Sequence, residues 1–280
     1  MHQELSLPAR RKQITGWMGI AAIAIGYLAL YAINFWIPLG HTNYTTRIWD
    51  WSLTALTLVA LFVVAAKRRN LDAGTSLLGL VLAAISAFSY SLDYPDFRGS
   101  LEEGLAVWVC LLGGVALFKD LKTQGVPAFQ PPPANIGRSL LFGVAVAIPL
   151  AAVNNLYFYL NAGEVQFTNV FYSAIEALSP AIHEEIVFRF FVLALSLNLL
   201  KGIGSQSLRM FTAVFLAVVP HSLNHLPDLF LQNPLMGLLM LTATSLLFGL
   251  PMAWLQVRRN LETAIAFHWF IDFIRFLFGF

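Results

Sequence analysis

The chain of 280 residues is too apolar for a soluble protein. Hydrophobic residues make up 58% of the sequence and charged residues 11%, whereas soluble domains carry roughly 25% charged residues. The 17 basic and 15 acidic residues give a formal net charge of +2, which is no sign of a nucleic-acid partner. Cys110 is the only cysteine, so a disulfide or a cysteine metal cluster within one chain is excluded.

The first apolar run, residues 17–38, follows a basic cluster at residues 10–12. The apolar region of a signal peptide is shorter, about 7–15 residues, and ends at small residues suited to cleavage. Trp36 and Pro38 stand where cleavage would fall. We therefore predict an uncleaved first membrane span.

Nine apolar runs are candidates for membrane-spanning helices, each of which needs about 20 residues. Basic residues recur in every second connection, and the positive-inside rule places such connections in the cytoplasm. We predict an all-α, polytopic transmembrane helix bundle of about eight or nine spans in the cell membrane. Its N-terminus should be cytoplasmic, and the prolines at 131–133 should form a stiff linker. The runs are 16–38, 49–66, 74–92, 104–118, 138–160, 170–200, 208–226, 235–256 and 262–279, and the further cytoplasmic connections are 67–73, 119–137, 201–207 and 257–261.

The run over residues 170–200 is too long for one straight span, because it would measure about 45 Å at 1.5 Å per residue. Pro180 suits the first turn of a helix, and Ser179 is then the natural N-cap. We predict a helix that begins at Ser179 and runs to about residue 200, and either a separate short helix or a bent extension at 170–178.

Ionisable residues concentrate in three of the later spans. A charged side chain at mid-helix costs about 2.5–3.5 kcal/mol on insertion scales, so such residues are functional candidates. Histidines and carboxylates that meet in a cavity of low dielectric favour acid–base chemistry. We predict a single integral membrane domain, 1–280, in which 1–137 is a scaffold and 138–280 holds an active site. Besides Glu184, the candidates form pairs spaced one helical turn apart: Glu185 with Arg189, His221 with His225, and His268 with Asp272.

Three motifs carry a family resemblance. Residues 184–189 read EEIVFR, residues 221–225 read HSLNH and are followed by LPD, and residues 268–272 read HWFID. Over about residues 170–280 the chain resembles the CAAX-protease and bacteriocin-processing (CPBP) family of intramembrane glutamic endopeptidases. The signature of that family is E-E-x-x-x-R, then F-x-x-x-H, then H-x-x-x-N/D.

The chain departs from the family pattern at two positions. His221 stands where the second motif has phenylalanine, and Phe190 stands where a glycine usually follows the arginine. Either His221 or His225 can therefore correspond to the histidine of the family. The Leu-Pro-Asp that follows favours His225.

The resemblance implies a role for each motif in peptide hydrolysis. Glu184 and His225 would activate a water that attacks a peptide carbonyl of a membrane-associated or exported protein. His268 would donate a hydrogen bond to the oxyanion, with Asp272 orienting its ring.

An ion pair and the question of a metal complete the predicted site. Arg189 would hold Glu185 ionised and so keep the two adjacent glutamates chemically distinct. No cofactor is expected, although zinc stays open because Glu184, His225 and His268 can form a three-ligand site.

Three other interpretations of the polar helices stay open. They are interhelical ion pairs that only lock the bundle, a non-catalytic family member such as a bacteriocin immunity protein or membrane scaffold, and an ion-coupled transporter. Transporters commonly show broken helices in two corresponding halves, whereas the polar residues here lie in one half only. That asymmetry argues against transport.

The remaining polar residues have simpler predicted roles. We expect His183 at an interface or cavity rim, and Arg275 to extend towards the membrane surface. Glu184 lies about 24 Å along its helix from Lys201, which is in a connection predicted to be cytoplasmic, so the site should face the extracytoplasmic side. His268 is only about 13 Å from Arg259, in another such connection, and this shorter distance argues for a deeper position. Solvated positions are expected for Glu102, Glu103, His41 and Asp93, and a place in the cavity lining is considered for Asn154 and Asn155.

Overall fold

A computed structural model describes residues 7–36, 43–122 and 135–280. The predicted proline linker and His41 lie outside these ranges. All regular secondary structure within them is helical, as predicted. Two π-helical segments, Glu184–Phe191 and Ser245–Gly249, join α7 to α8 and α11 to α12. The α-helices are α1 (Leu7–Asn34), α2 (Tyr44–Lys67), α3 (Ala73–Asp93), α4 (Phe97–Lys122), α5 (Ile136–Ala162), α6 (Val170–Glu176), α7 (Leu178–His183), α8 (Val192–Leu199), α9 (Gln206–Asn224), α10 (Pro227–Gln232), α11 (Pro234–Thr244), α12 (Leu250–Arg258) and α13 (Leu261–Leu277).

The chain is a multi-pass membrane protein. Within the described residues, 6 helices are long and apolar enough to cross a membrane. The helix through α7 and α8 carries three charged side chains, and α13 has 17 residues, so both fall short of a standard span. The larger number of eight or nine spans therefore stays a prediction. The qualifying segments are Gln13–Asn34, Tyr44–Asn70, Ala73–Asp93, Phe97–Lys122, Ile136–Ala162 and Pro234–Arg258.

Helix α4 lies at the centre of the bundle, packed against α2, α3, α8 and the first π-helical segment. Its Gly113 and Gly114 admit two aromatic rings from that segment: a Cβ at Gly113 would lie 2.9 Å from the ring of Phe191, and one at Gly114 would overlap the ring of Phe190. Phe190 stands where the family usually has a glycine. The space that its ring needs is provided by Gly114 of α4.

Helices α5 and α13 pack closely against each other. A Cβ at Gly143 of α5 would lie 2.5 Å from the carbonyl oxygen of Thr263 and 3.1 Å from the amide nitrogen of Phe267. Below this contact, Phe267 and Ile271 pack with Met252 of α12 in a second apolar cluster. These contacts fix α13, and with it the side chain of His268.

The helix break in the 170–200 region lies at Ala177, between α6 and α7. The hydroxyl oxygen of Ser89 in α3 lies 2.6 Å from the carbonyl oxygen of Ile175 and accepts the amide of Ser179 at 2.8 Å. A side chain from another helix therefore binds the backbone groups that the break exposes. The structure therefore shows a separate short helix, α6. The prediction that Ser179 is the N-cap of the next helix is wrong, because α7 begins at Leu178.

Glu103 is buried in α4, although a solvated position was expected. Its Oε1 accepts hydrogen bonds from Ser86 at 2.6 Å and Ser179 at 2.5 Å, and its Oε2 lies 3.9 Å from Nδ1 of His183. The neighbouring Glu102 is exposed and pairs with Arg98 at 2.7 Å. The two glutamates differ because the helix turns Glu103 towards α3 and α7 and Glu102 outward.

Basic connections meet at one end of the bundle. Lys67 pairs with Asp120 at 3.0 Å, Lys119 with Asp72 at 2.5 Å, and Lys201 lies 3.8 Å from Asp120. The hydrogen bond from the Lys119 ammonium lowers the pKa of Asp72 to about 2. The connections at 67–73, 119–122 and 201 therefore share one side, as the alternation of basic loops requires.

Candidate active site

The first π-helical segment positions the EEIVFR motif. A π-helix is wider than an α-helix, and such segments occur frequently at functional sites. Glu185 is fully buried, and its Oε1 accepts a hydrogen bond from Nη1 of Arg189. The Glu184 side chain, 13% exposed, instead faces the cavity described below. Adjacent glutamates thus have separate surroundings, one with a buried cation and one beside a cavity.

His221, in the last turn of α9, contacts the motif directly. Its Nε2 lies 2.7 Å from Oε2 of Glu184, and its Nδ1 lies 3.0 Å from Nη2 of Arg189. The ring is buried, with 4% of the residue exposed. The Leu-Pro-Asp after the motif favours His225, whereas the structure gives His221 the hydrogen bond to Glu184.

His225 ends α9 and lies beside His221, with 5.2 Å between the ring centroids. It is the more exposed of the two and lines the cavity. The spacing of one turn places both rings on the same face of α9, which is why the sequence pattern left the choice between them open.

His268 lies between the two glutamates. Its Nδ1 is 2.9 Å from Oε1 of Glu185, and its Nε2 is 3.6 Å from Oε2 of Glu184. Nε2 is also 3.2 Å from Oδ2 of Asp272, one turn further along α13. Asp272 therefore contacts His268 as the spacing predicted.

Trp49 is a component of the site that the sequence analysis missed, because α2 was assigned to the scaffold. Its ring lies 5.4 Å from that of His221 and 4.9 Å from that of His225, edge to face in both cases. It also packs against Phe188 at 4.9 Å. The only sequence signal was an aromatic residue close to a charged one, Asp50, near the start of a span.

A cavity of about 500 Å³ brings these groups together. Asn154 of α5 lines it, whereas Asn155 donates to the carbonyl of Ala151 in its own helix at 2.9 Å. Arg275 also turns into the cavity, 3.6 Å from Asp272, contrary to the expected extension towards the membrane surface. The remaining walls are largely apolar and include Val153, Tyr157, Phe158, Met240, Leu247, Phe248, Met252 and Ile271.

Glu184, His221 and His225 each offer one ligand atom, and these three atoms lie within 4.8 Å of one another. A metal-bound histidine almost always donates its second ring N–H to an acceptor. The second nitrogen of His221 faces Arg189, which has donors only. The surroundings of His221 therefore do not fit a metal ligand.

Comparison with known proteins gives one match. Residues 166–274 match the family model described as type II CAAX prenyl endopeptidase Rce1-like. This segment runs from just before α6 into α13 and contains all three motifs. No curated protein and no solved structure matches the chain. The resemblance stated from the motifs thus agrees with this match: over residues 166–274 the chain is similar to the Rce1-like, type II CAAX prenyl endopeptidases of the CPBP family.

Proposed function

We propose that the protein is an intramembrane endopeptidase that hydrolyses a peptide bond of a membrane-associated or exported protein. The observation that carries the proposal is the position of Glu184. Its carboxylate borders an apolar cavity, one oxygen is held by His221, and the rings of His225 and His268 lie beside it. A carboxylate in such surroundings is suited to take a proton from water.

In the proposed reaction, Glu184 accepts a proton as the water oxygen attacks the carbonyl carbon of the substrate. His225 provides a second contact for the water. The proton then passes from Glu184 to the leaving amine nitrogen as the C–N bond breaks. The second proton of the water passes from the new carboxylic acid to the amine, so the products are a carboxylate and an ammonium group and no further reactant is required.

His268 is the proposed donor to the oxyanion. Both of its ring nitrogens face carboxylate oxygens, Nδ1 that of Glu185 and Nε2 that of Asp272. Carboxylates on both sides favour a ring that carries protons on both nitrogens, and such a ring can donate to a negative oxygen. Arg189 contacts Glu185 as well and offsets part of the negative charge of the buried site.

We propose that this chemistry needs no metal, because the second ring nitrogen of His221 faces Arg189, which offers no acceptor for the N–H of a metal-bound histidine. Activity that survives dialysis against a strong chelator would support the proposal. Loss of activity on chelation and its return with Zn²⁺ would overturn it.

A comparison of matched glutamate variants tests the function. Cells that produce the wild type, Glu184→Gln or Glu102→Gln would be compared for the new N-termini of their membrane and exported proteins. Glutamine keeps the volume of Glu184 but cannot accept the proton, so we expect the wild-type termini to disappear. Glu102→Gln, at an exposed position of α4, should preserve them.

Thermal unfolding in detergent would show that both variants are folded. If folded Glu184→Gln yields the same termini as the wild type, the protein is not a peptidase of this kind, and the non-catalytic scaffold becomes the better interpretation.

A further inference from the structure

His221 has two polar partners of opposite character. Nδ1 lies 3.0 Å from a guanidinium nitrogen of Arg189, and Nε2 lies 2.7 Å from a carboxylate oxygen of Glu184. The position is occupied by phenylalanine in the family motif, and a phenylalanine ring has no nitrogen with which to make these contacts.

The partners determine which ring nitrogen carries the proton. Arginine has donors and no acceptor, so Nδ1 of His221 must be unprotonated to accept from Arg189. The proton of a neutral ring then lies on Nε2, from which it is donated to Glu184. A proton on Nδ1 would instead point at the guanidinium.

Aromatic neighbours hold the ring in this orientation. The ring centroid of Trp49 lies 5.4 Å away at an interplanar angle of 82°, and that of Phe188 lies 5.4 Å away at 47°. A ring flip would bring carbon atoms towards Arg189 and Glu184 and lose both hydrogen bonds. The orientation is therefore fixed by packing as well as by polar contacts.

We propose that His221 is a positioning residue, a neutral ring with its proton on Nε2 that fixes one oxygen of Glu184 and leaves the other for water. The inference rests on the proposed function, because it takes Glu184 as the reacting group. With its Nε2 proton directed at Glu184, His221 cannot take a proton there. The exposed ring of His225 is left as the histidine that contacts the water.

The protonation state is tested directly by nitrogen NMR. Protein with ¹⁵N-labelled histidine rings, in lipid nanodiscs, should show six ring systems, one for each histidine. The signals lost in His221→Gln are those of His221. We expect one protonated nitrogen, Nε2, and one unprotonated nitrogen, Nδ1. A proton on Nδ1, alone or together with one on Nε2, would overturn the proposal.

Matched variants test the consequence for activity, once a substrate has been found by the comparison of termini. His221→Gln retains an amide donor at the position of Nε2, whereas His221→Phe keeps the ring and removes the donor. We expect His221→Gln to be at least tenfold more active than His221→Phe, with the difference in kcat and little change in KM.

Equal activity of the two variants would show that donation to Glu184 does not matter, and would contradict the proposal. The proposed function fails in a different way. In that case wild type and Glu184→Gln give the same termini, while the NMR measurement still reports on the ring of His221.

Discussion

At the scale of single residues, Arg189 connects the parts of the site. Its guanidinium contacts Glu185 in its own helix and His221 in α9, and 2% of the residue is exposed. Oε1 of Glu185 also contacts His268 of α13 at 2.9 Å. One buried cation therefore joins its own helix to α9 directly and to α13 through Glu185, and its loss should affect structure as well as chemistry.

We expect Arg189→Ala to lower the free energy of unfolding by about 3–5 kcal/mol, because it removes the arginine partner of the fully buried Glu185. Thermal unfolding in detergent would measure the loss. A double variant, Glu185→Gln with Arg189→Met, should recover much of the stability but not the activity. Arg98→Ala, which breaks an exposed pair with Glu102, serves as the control and should unfold like the wild type. Equal stability of Arg189→Ala and the wild type would show that Glu185 is not charged in the folded protein.

At the scale of helices, the site depends on close packing by scaffold elements. Glu103 of α4 holds Ser179 of α7 five residues before Glu184, and Ser89 of α3 caps the break beside it. On the other side, α5 supports α13 through Gly143. Helices without any catalytic side chain thus set the distance between Glu184 and His268.

Gly143→Ala should separate α5 from α13, since its Cβ would meet backbone atoms of Thr263 and Phe267. Such overpacking typically costs about 1–3 kcal/mol, and a displacement of about 1 Å can reduce activity of order 100-fold. We expect activity to fall more than stability, measured as kcat/KM and as the midpoint of thermal unfolding.

The same substitution at Gly26 of α1 is the matched control. A Cβ there would have no heavy atom within 4 Å, so Gly26→Ala should leave both quantities unchanged. If Gly143→Ala behaves like Gly26→Ala, the contact between α5 and α13 does not determine the position of His268.

At the scale of the whole molecule, the sequence predicts the helices better than their contacts. Apolar runs and basic loops mark nearly every long helix, because hydrophobic length is a local property. The burial of Glu103 was missed because it depends on Ser86 and Ser179, which are brought to it only by folding. The break at Ala177 likewise depends on Ser89 of another helix.

The candidate site was predicted in composition but not in detail. The three motifs place Glu184, His268 and Asp272 correctly in one cavity, because a buried polar side chain needs polar neighbours. One-turn spacing cannot rank His221 against His225, since both lie on one face of α9. Trp49 lies in a helix far along the sequence from the three motifs, and only the fold reveals its contact with these histidines.

The level of the site along the bundle follows from the same contacts. Glu184 is 17 residues from Lys201, whereas His268 is only 8 residues from Asn260, so a longer stretch of helix separates Glu184 from the end of its segment. Their side chains nevertheless meet at 3.6 Å. The turn at Asn260, which donates to Ser139 at 3.1 Å, therefore lies closer to the level of the site than Lys201 does. The shallow position of His268 is thus compatible with a site far from the basic end.

Labelling of introduced cysteines would establish which side of the membrane this site faces. Cys110 is fully buried and would first be replaced by alanine. The basic end should be cytoplasmic, so Arg69→Cys should react only from the cytoplasmic side. Glu164→Cys and Asp228→Cys, in the connections predicted to lie outside, should react with an impermeant reagent added to intact cells. The proposed site would then face exported substrates. Reaction of Glu164→Cys only after the cytoplasmic side is opened would reverse the topology, and substrates would have to reach Glu184 from the cytoplasm.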